Sequence, residues 1–163
     1  MPILLDQNEI FYKQFEPKVQ NRFIMKIDGI ESYIVKAASR PTYTAEEIIV
    51  DHINVQRKLK GKSTWDTITL TLYDPIVPSG AQQVMEWIRL SHESITGRDG
   101  YAAFYKKNPV FQLLGPVGDV VEEWQLIGAF ISSANFGDMD WASTSDLVNI
   151  ELTLSYDYAI LEY

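Results

Sequence analysis

The stretch Glu47 to Asp74 reads EIIVDHINVQRKLKGKSTWDTITLTLYD, and the fold class follows from its pattern. The run Ile48 to Ile53 is rich in β-branched apolar residues. The run Trp65 to Tyr73 alternates strictly, with Ile68, Leu70 and Leu72 on one side and Thr67, Thr69 and Thr71 on the other. A period of two among strand-forming residues marks a strand with one buried face. Between the runs lie Arg57-Lys58-Leu59-Lys60-Gly61-Lys62, four cations in six residues around a glycine. Glycine with polar neighbours suits a reversal of direction. The pattern predicts a long projecting β-hairpin over residues 44–74 with a basic tip at 57–62.

Working upstream, Phe23, Met25 and Ile27 alternate with Ile24, Lys26 and Asp28. Asp28-Gly29 supplies the residues of a type I′ turn, whose central positions both need positive φ. Ile30 to Ala37 then returns, and Arg40-Pro41 ends the strand because proline lacks a ladder donor. This predicts a first hairpin. Residues 1–20 are weakly patterned and read as an N-terminal arm with one helical turn around Glu9 to Phe15.

Downstream, Ser79 and Gln82 have the spacing of a capping box. A helix is predicted from Ala81 to Ile95, with Val84, Ile88 and Ile95, together with Met85 and Trp87, as its apolar stripe. Arg98 to Lys107 reads as a loop, Val110 to Leu114 as a short strand, and Val120 to Ile131 as a longer one with apolar residues on both faces. Asn135 to Asp146 is a polar loop around Trp141. Val148 to Tyr158 alternates throughout, with Glu151 and Thr153 on its polar side, and residues 159–163 form a C-terminal tail. The expected fold is mainly β, one domain over 1–163. It is an antiparallel β-sandwich or half-barrel, with one α-helix covering an open end and a long projecting hairpin.

The 163 residues suffice for one domain with a real core, and 46% are hydrophobic, too many for a disordered chain. No apolar run is long enough to cross a bilayer, and the first residues lack the basic and apolar regions of a secretory signal. The absence of cysteine excludes disulfides and thiol chemistry. A net charge of −8 argues against wrapping nucleic acid, though not against letting it pass without sticking.

Catalytic and metal-binding patterns are absent from the sequence. His52 and His92, the two histidines, have no metal-ligand spacing and read as structural. No nucleophile elbow, phosphate loop or dinucleotide fingerprint occurs. Asp138, Asp140 and Asp146 are spaced like part of a calcium loop, but Ser143 stands where such a loop needs glycine and Asn149 where it needs glutamate. Glu122-Glu123 lie on a strand, where neighbours point to opposite faces, and are expected to be solvated or at an interface. The reading is a non-enzymatic protein without cofactor or metal.

The order of Ala38-Ser39-Arg40-Pro41, the basic glycine segment, Trp65-Asp66, the alternating run to Asp74, the Trp87 helix, Gly137-Asp-Met-Asp-Trp141 and the closing Tyr156-Asp157-Tyr158 resembles the tail tube proteins of contractile-tailed bacteriophages. More distantly it is similar to the Hcp tube protein of type VI secretion. The resemblance spans nearly the whole chain; the tail 159–163 runs past the family's usual ending. It implies a structural subunit of the virion tail tube, assembled in the host cytoplasm without membrane anchoring. Subunits would form hexameric rings whose strands complete one continuous β-barrel, and rings would stack inside a sheath. Implied partners are further copies of the chain, the tail sheath protein, baseplate, tube-initiator and terminator proteins, and the tape measure protein and DNA transiently in the lumen. A tube-initiator or baseplate ring and a secretion tube are alternatives within that resemblance. A monomeric ligand-binding β-barrel, with an apolar interior pocket, is the alternative outside it.

On this reading Val55, Arg57, Lys58, Leu59, Lys60 and Lys62 form an inter-ring stacking hairpin. Its charges would meet an acidic rim drawn from Glu122, Glu123, Asp138 or Asp140. Thr67, Thr69, Thr71, Glu151 and Thr153 would line the channel with a polar, non-cationic surface that does not hold a phosphate backbone.

Overall fold

The computed structural model describes residues 15–162. Apart from Phe15, the helical turn expected at Glu9 to Phe15 lies outside them. The strands are β1 (Phe23–Lys26), β2 (Val35–Ala38), β3 (Tyr43–His52), β4 (Val55–Trp65), β5 (Ile68–Tyr73), β6 (Val110–Leu114), β7 (Val120–Ile127), β8 (Phe130–Asn135), β9 (Asn149–Ser155) and β10 (Tyr158–Leu161). The helices are α1 (Gly80–Ser91) and the single turn α2 (Ala102–Tyr105). They make two four-stranded antiparallel sheets, ordered β1-β6-β7-β10 and β2-β5-β9-β8, and a two-stranded ribbon β3-β4.

Alternation sets the core. Ile68, Leu70 and Leu72 of β5 pair with Leu154, Leu152 and Ile150 of β9, and all six are buried. Met25, Phe111, Leu113 and Leu126 face them from the other sheet, and Val84 and Trp87 of α1 complete the cluster. Truncating a large side chain in such a core costs about 2–5 kcal/mol.

Several expected elements are cut or re-paired. The first hairpin reduces to one bridge, Ile27 with Ile30, because β1 pairs with β6 and β2 with β5. Of its turn residues Gly29 has φ of +84° and Asp28 is not in the left-handed region, so the turn is not type I′. The expected strand Val120 to Ile131 breaks at Gly128 (φ +68°), where the chain crosses from one sheet to the other. The left-handed backbone at Gly128 favours glycine, and the Asp157 carboxylate lies in the space a Cβ would enter. The expected strand Val148 to Tyr158 likewise ends at Ser155. Residues 159–161, read as a tail, belong with Tyr158 to β10, which pairs with β7.

Helix α1 ends at Ser91, four residues short of Ile95, which is 94% exposed. Ser79 is its N-cap residue by position, but its side chain makes no capping bond. The cap comes from Asp74, whose Oδ1 accepts hydrogen bonds from Gly80 N (3.0 Å) and Ala81 N (3.3 Å). A carboxylate there satisfies orphan donors and complements the helix dipole.

Candidate functional site: the assembly surfaces

Among the described residues, three features of the fold have no partner: a ribbon, a polar sheet face with two open edges, and an apolar loop cluster. The ribbon is narrower in sequence than expected, 43–65 rather than 44–74, because Asp66 and Thr67 turn the chain out of β4 and into β5. Asp66 N donates to Thr42 O (2.9 Å) and Asp66 Oδ2 accepts from Thr44 Oγ1 (3.0 Å), closing the root. The root is anchored by Trp65, whose ring packs near Tyr156 and edge-on to Tyr43.

The basic run is not the tip. The reversal falls at Ile53-Asn54, with Ile53 at φ 49° and fully exposed, while Arg57, Lys58, Leu59, Lys60 and Lys62 all lie along β4. Gly61 serves a bulge: Ala45 faces Ser63 and Glu47 faces Lys60, so Gly61 and Lys62 together oppose Glu46. A Cβ on Gly61 would sit 3.1 Å from Glu46 O, which explains the glycine without a turn.

Directly opposed residues share a face, so the register sorts the ribbon. One face holds Glu47, Ile49, Asp51, Gln56, Lys58 and Lys60. Its lysines are used locally. Lys58 Nζ lies 3.1 Å from Glu47 Oε2, and Lys60 Nζ is 5.6 Å from the Tyr43 ring centroid. Hydrogen bonding with Lys60 and then Ser63 draws the Tyr43 phenol below its ordinary range. The other face holds Ile48, Val50, His52, Val55, Arg57 and Leu59, an apolar stripe with one cation.

The polar face of β2-β5-β9-β8 brings together four of the five residues expected to line a channel. Thr69 is opposite Thr153 and Thr71 opposite Glu151. Ser133 and Asn135 extend the face on β8. Thr67 is exposed but precedes β5 and joins no ladder. Among the described residues the sheet is open at β2 and at β8, and an open edge is a row of unpaired donors and acceptors.

Glu122 does not belong to an exposed rim. It is buried, and its carboxylate takes Lys18 Nζ, Arg40 Nη2 (2.7 Å) and Trp124 Nε1. Burial pushes this carboxyl up. Hydrogen bonds from Lys18 and Trp124 and the charges of Arg40 and Lys18 outweigh it, so the group lies below the ordinary glutamate value. The consequence is mechanical: Glu122 ties the segment before β1 and the linker into the ribbon onto β7. Sequence reasoning missed it because its partners are 104 and 82 residues away.

His52 is exposed near the ribbon tip, and His92 Nδ1 pairs with Asp99 Oδ1 (2.8 Å) at the surface. Among the described residues, no three His, Asp or Glu side chains converge to hold a metal ion. No described helix is long and apolar enough to cross a membrane.

No family model matches the chain. Over 127 residues it is 27% identical to the tail tube protein gp19 of Enterobacteria phage T4, covering 76% of this chain and 77% of that protein. The fold matches the cryo-EM structure of an extracellular contractile injection system, the PVC sheath/tube terminator in its extended state. The TM-score is 0.74 at 23% identity, over 92% of this chain and 99% of that one. It also matches Hcp1 from Flavobacterium johnsoniae, with a TM-score of 0.54 at 12% identity, over 86% and 94% of the two chains. The β-sandwich with its projecting ribbon is thus the tube-protein fold. The sequence is similar to the phage tail tube proteins, and the fold is shared with tube, terminator and Hcp structures.

Proposed function

We propose that the chain is a structural, non-catalytic subunit of a contractile tail tube. Copies join side by side into hexameric rings, and rings stack through the β3–β4 ribbon. The observation that carries this reading is the sequence likeness to the phage T4 tail tube protein across three quarters of the chain. The geometry supports it. Strands β2 and β8, the two edges of one sheet, pair between neighbours, which extends that sheet into a continuous barrel and removes the exposed edges. The face bearing Thr69, Thr71, Glu151 and Thr153 then lines the lumen, with its apolar counterpart already buried in the subunit. A lumen of hydroxyls and carboxylates lets a tape measure protein and DNA pass without tight binding. The sheath protein surrounds the tube, with a terminator at one end and an initiator or baseplate ring at the other. The tube is part of the virion, assembled in the host cytoplasm and without membrane anchoring.

Electron microscopy and sedimentation of the purified chain test this. Six-fold rings, and tubes at higher concentration, are the expected result. A strict monomer at every concentration overturns it.

A further inference from the structure

The two ends of the sheet β2-β5-β9-β8 differ chemically. Strand β5 leaves the ribbon at Ile68 and runs to Tyr73, and β9 returns with Asn149 beside Tyr73 and Leu154 beside Ile68. Strand β8 reaches the same far end at Asn135, opposite Glu151. The loops 74–79 and 136–148 therefore emerge one strand length, roughly 20 Å, from the root of the ribbon. They are neighbours, since Asp74 N donates to Val148 O (3.3 Å).

At this far end Ile76, Val77, Met139, Trp141 and Leu147 are all exposed, Trp141 at 104%. Single exposed apolar residues are ordinary, but five on two adjoining loops form a patch of the kind that marks an interaction surface. Trp141 is presented by a built turn. Asp140 Oδ1 accepts from Ala142 N (2.9 Å), and Asp146 Oδ2 accepts from Ser143 Oγ (2.8 Å). Gly137 (φ +83°) lies so close to Asn149 O that a Cβ would come within 2.8 Å. Loop 136–148 carries Asp138, Asp140 and Asp146 and no Lys or Arg.

The matching surface is on the same chain, at the other end: the ribbon face of Ile48, Val50, Val55 and Leu59 with Arg57 as its cation. We propose that this ribbon face of one copy docks on the Trp141 and Ile76–Val77 loops of the copy stacked above or below it. Leu59 and Val55 pack against Trp141 and Met139, and Arg57 faces the loop aspartates. A contact between unlike surfaces at opposite ends does not close on itself and so propagates along an axis. This rests on the tube reading and adds the receiving surface.

Trp141→Ser should leave rings at the yield of the unaltered chain and raise the concentration needed for tube growth about tenfold or more, as for loss of an aromatic anchor. Trp141→Phe should restore growth. The chain has no cysteine, so a Val55→Cys, Met139→Cys double variant can be cross-linked cleanly in assembled tubes with a short bis-maleimide. Each single variant can give only dimers, whereas the double variant should give a ladder of longer chains. Unimpaired growth of Trp141→Ser, or cross-linking of the double variant that stops at dimers, overturns this docking while leaving the tube reading intact. If the unaltered chain forms neither rings nor tubes, the tube reading fails, and this docking falls with it.

Discussion

Glu122 sits where the ribbon linker, the N-terminal approach and β7 meet, and it answers two cations and an indole N–H at once. Replacing it by Gln keeps the size but removes the charge, leaving Lys18 and Arg40 without their anion. Both cations keep about half of their side chains in solvent, which compensates them in part, so the expected shift in urea denaturation of Glu122→Gln at neutral pH is about 1 kcal/mol. The pH dependence follows from the lowered carboxyl. A depressed folded-state value contributes stability that is complete above the unfolded value of about 4.3 and disappears as pH falls through the folded value. The gap between the unaltered chain and Glu122→Gln should therefore be constant from pH 7 to 5 and close below about pH 4. A gap that persists unchanged into acid would mean that the carboxylate charge is not what holds the node. Asp74, capping α1 from six residues away, is a second residue whose role depends on where the chain brings it.

At the level of elements, the ribbon is the least supported pair of strands among the described residues. A lone two-stranded ribbon is marginal in water, and most residues of β3 and β4 are exposed. Among the described residues, the root, with Trp65 and the Asp66 bonds, ties the ribbon to the body. Amide hydrogen exchange should find the outer ribbon, residues 48–59, nearly unprotected in isolated rings, while the β5–β9 ladder exchanges slowly. In tubes the same ribbon amides should become strongly protected. Equal ribbon protection in rings and tubes would show that the ribbon takes no part in stacking. The basic run was expected to provide charge at a tip, but Lys58 and Lys60 are engaged on their own ribbon. This shifts the weight of adhesion to the opposite, apolar face.

At the level of the whole molecule, every copy carries a formal charge of −8, so assembly brings like charges together. Exposed ion pairs contribute only about 0–1 kcal/mol each and weaken with salt. Apolar contact is not screened, whereas the repulsion between acidic copies is. Raising salt from about 0.05 to about 0.5 M, where screening shortens to a few ångströms, should therefore lower the protein concentration at which tubes form. Light scattering across a salt series measures this. A threshold that rises with salt would mean that charge pairs, and not apolar packing, dominate the stacking.

The sequence by itself determined the local alternation and what it implies. The inward residues Ile68, Leu70, Leu72, Ile150, Leu152 and Leu154, the polar face of Thr69, Thr71, Glu151 and Thr153, the Trp87 helix and the mainly β class were all legible. Each depends on a period of two or 3.6 within one segment, and the resemblance to tail tube proteins rested on the order of the same segments. Pairing was not legible, because it depends on which distant segment arrives alongside. Gly61 has the composition of a turn but occupies a bulge opposite Glu46, and Gly128, in the left-handed region, cuts an apparently continuous strand where the chain passes from one sheet to the other. Likewise, Glu122 looked like a surface acid until Lys18 and Arg40 were brought to it. The tertiary structure also decided that the ribbon and the Trp141 loop leave one sheet at opposite ends, since that follows from strand register and no local pattern encodes it.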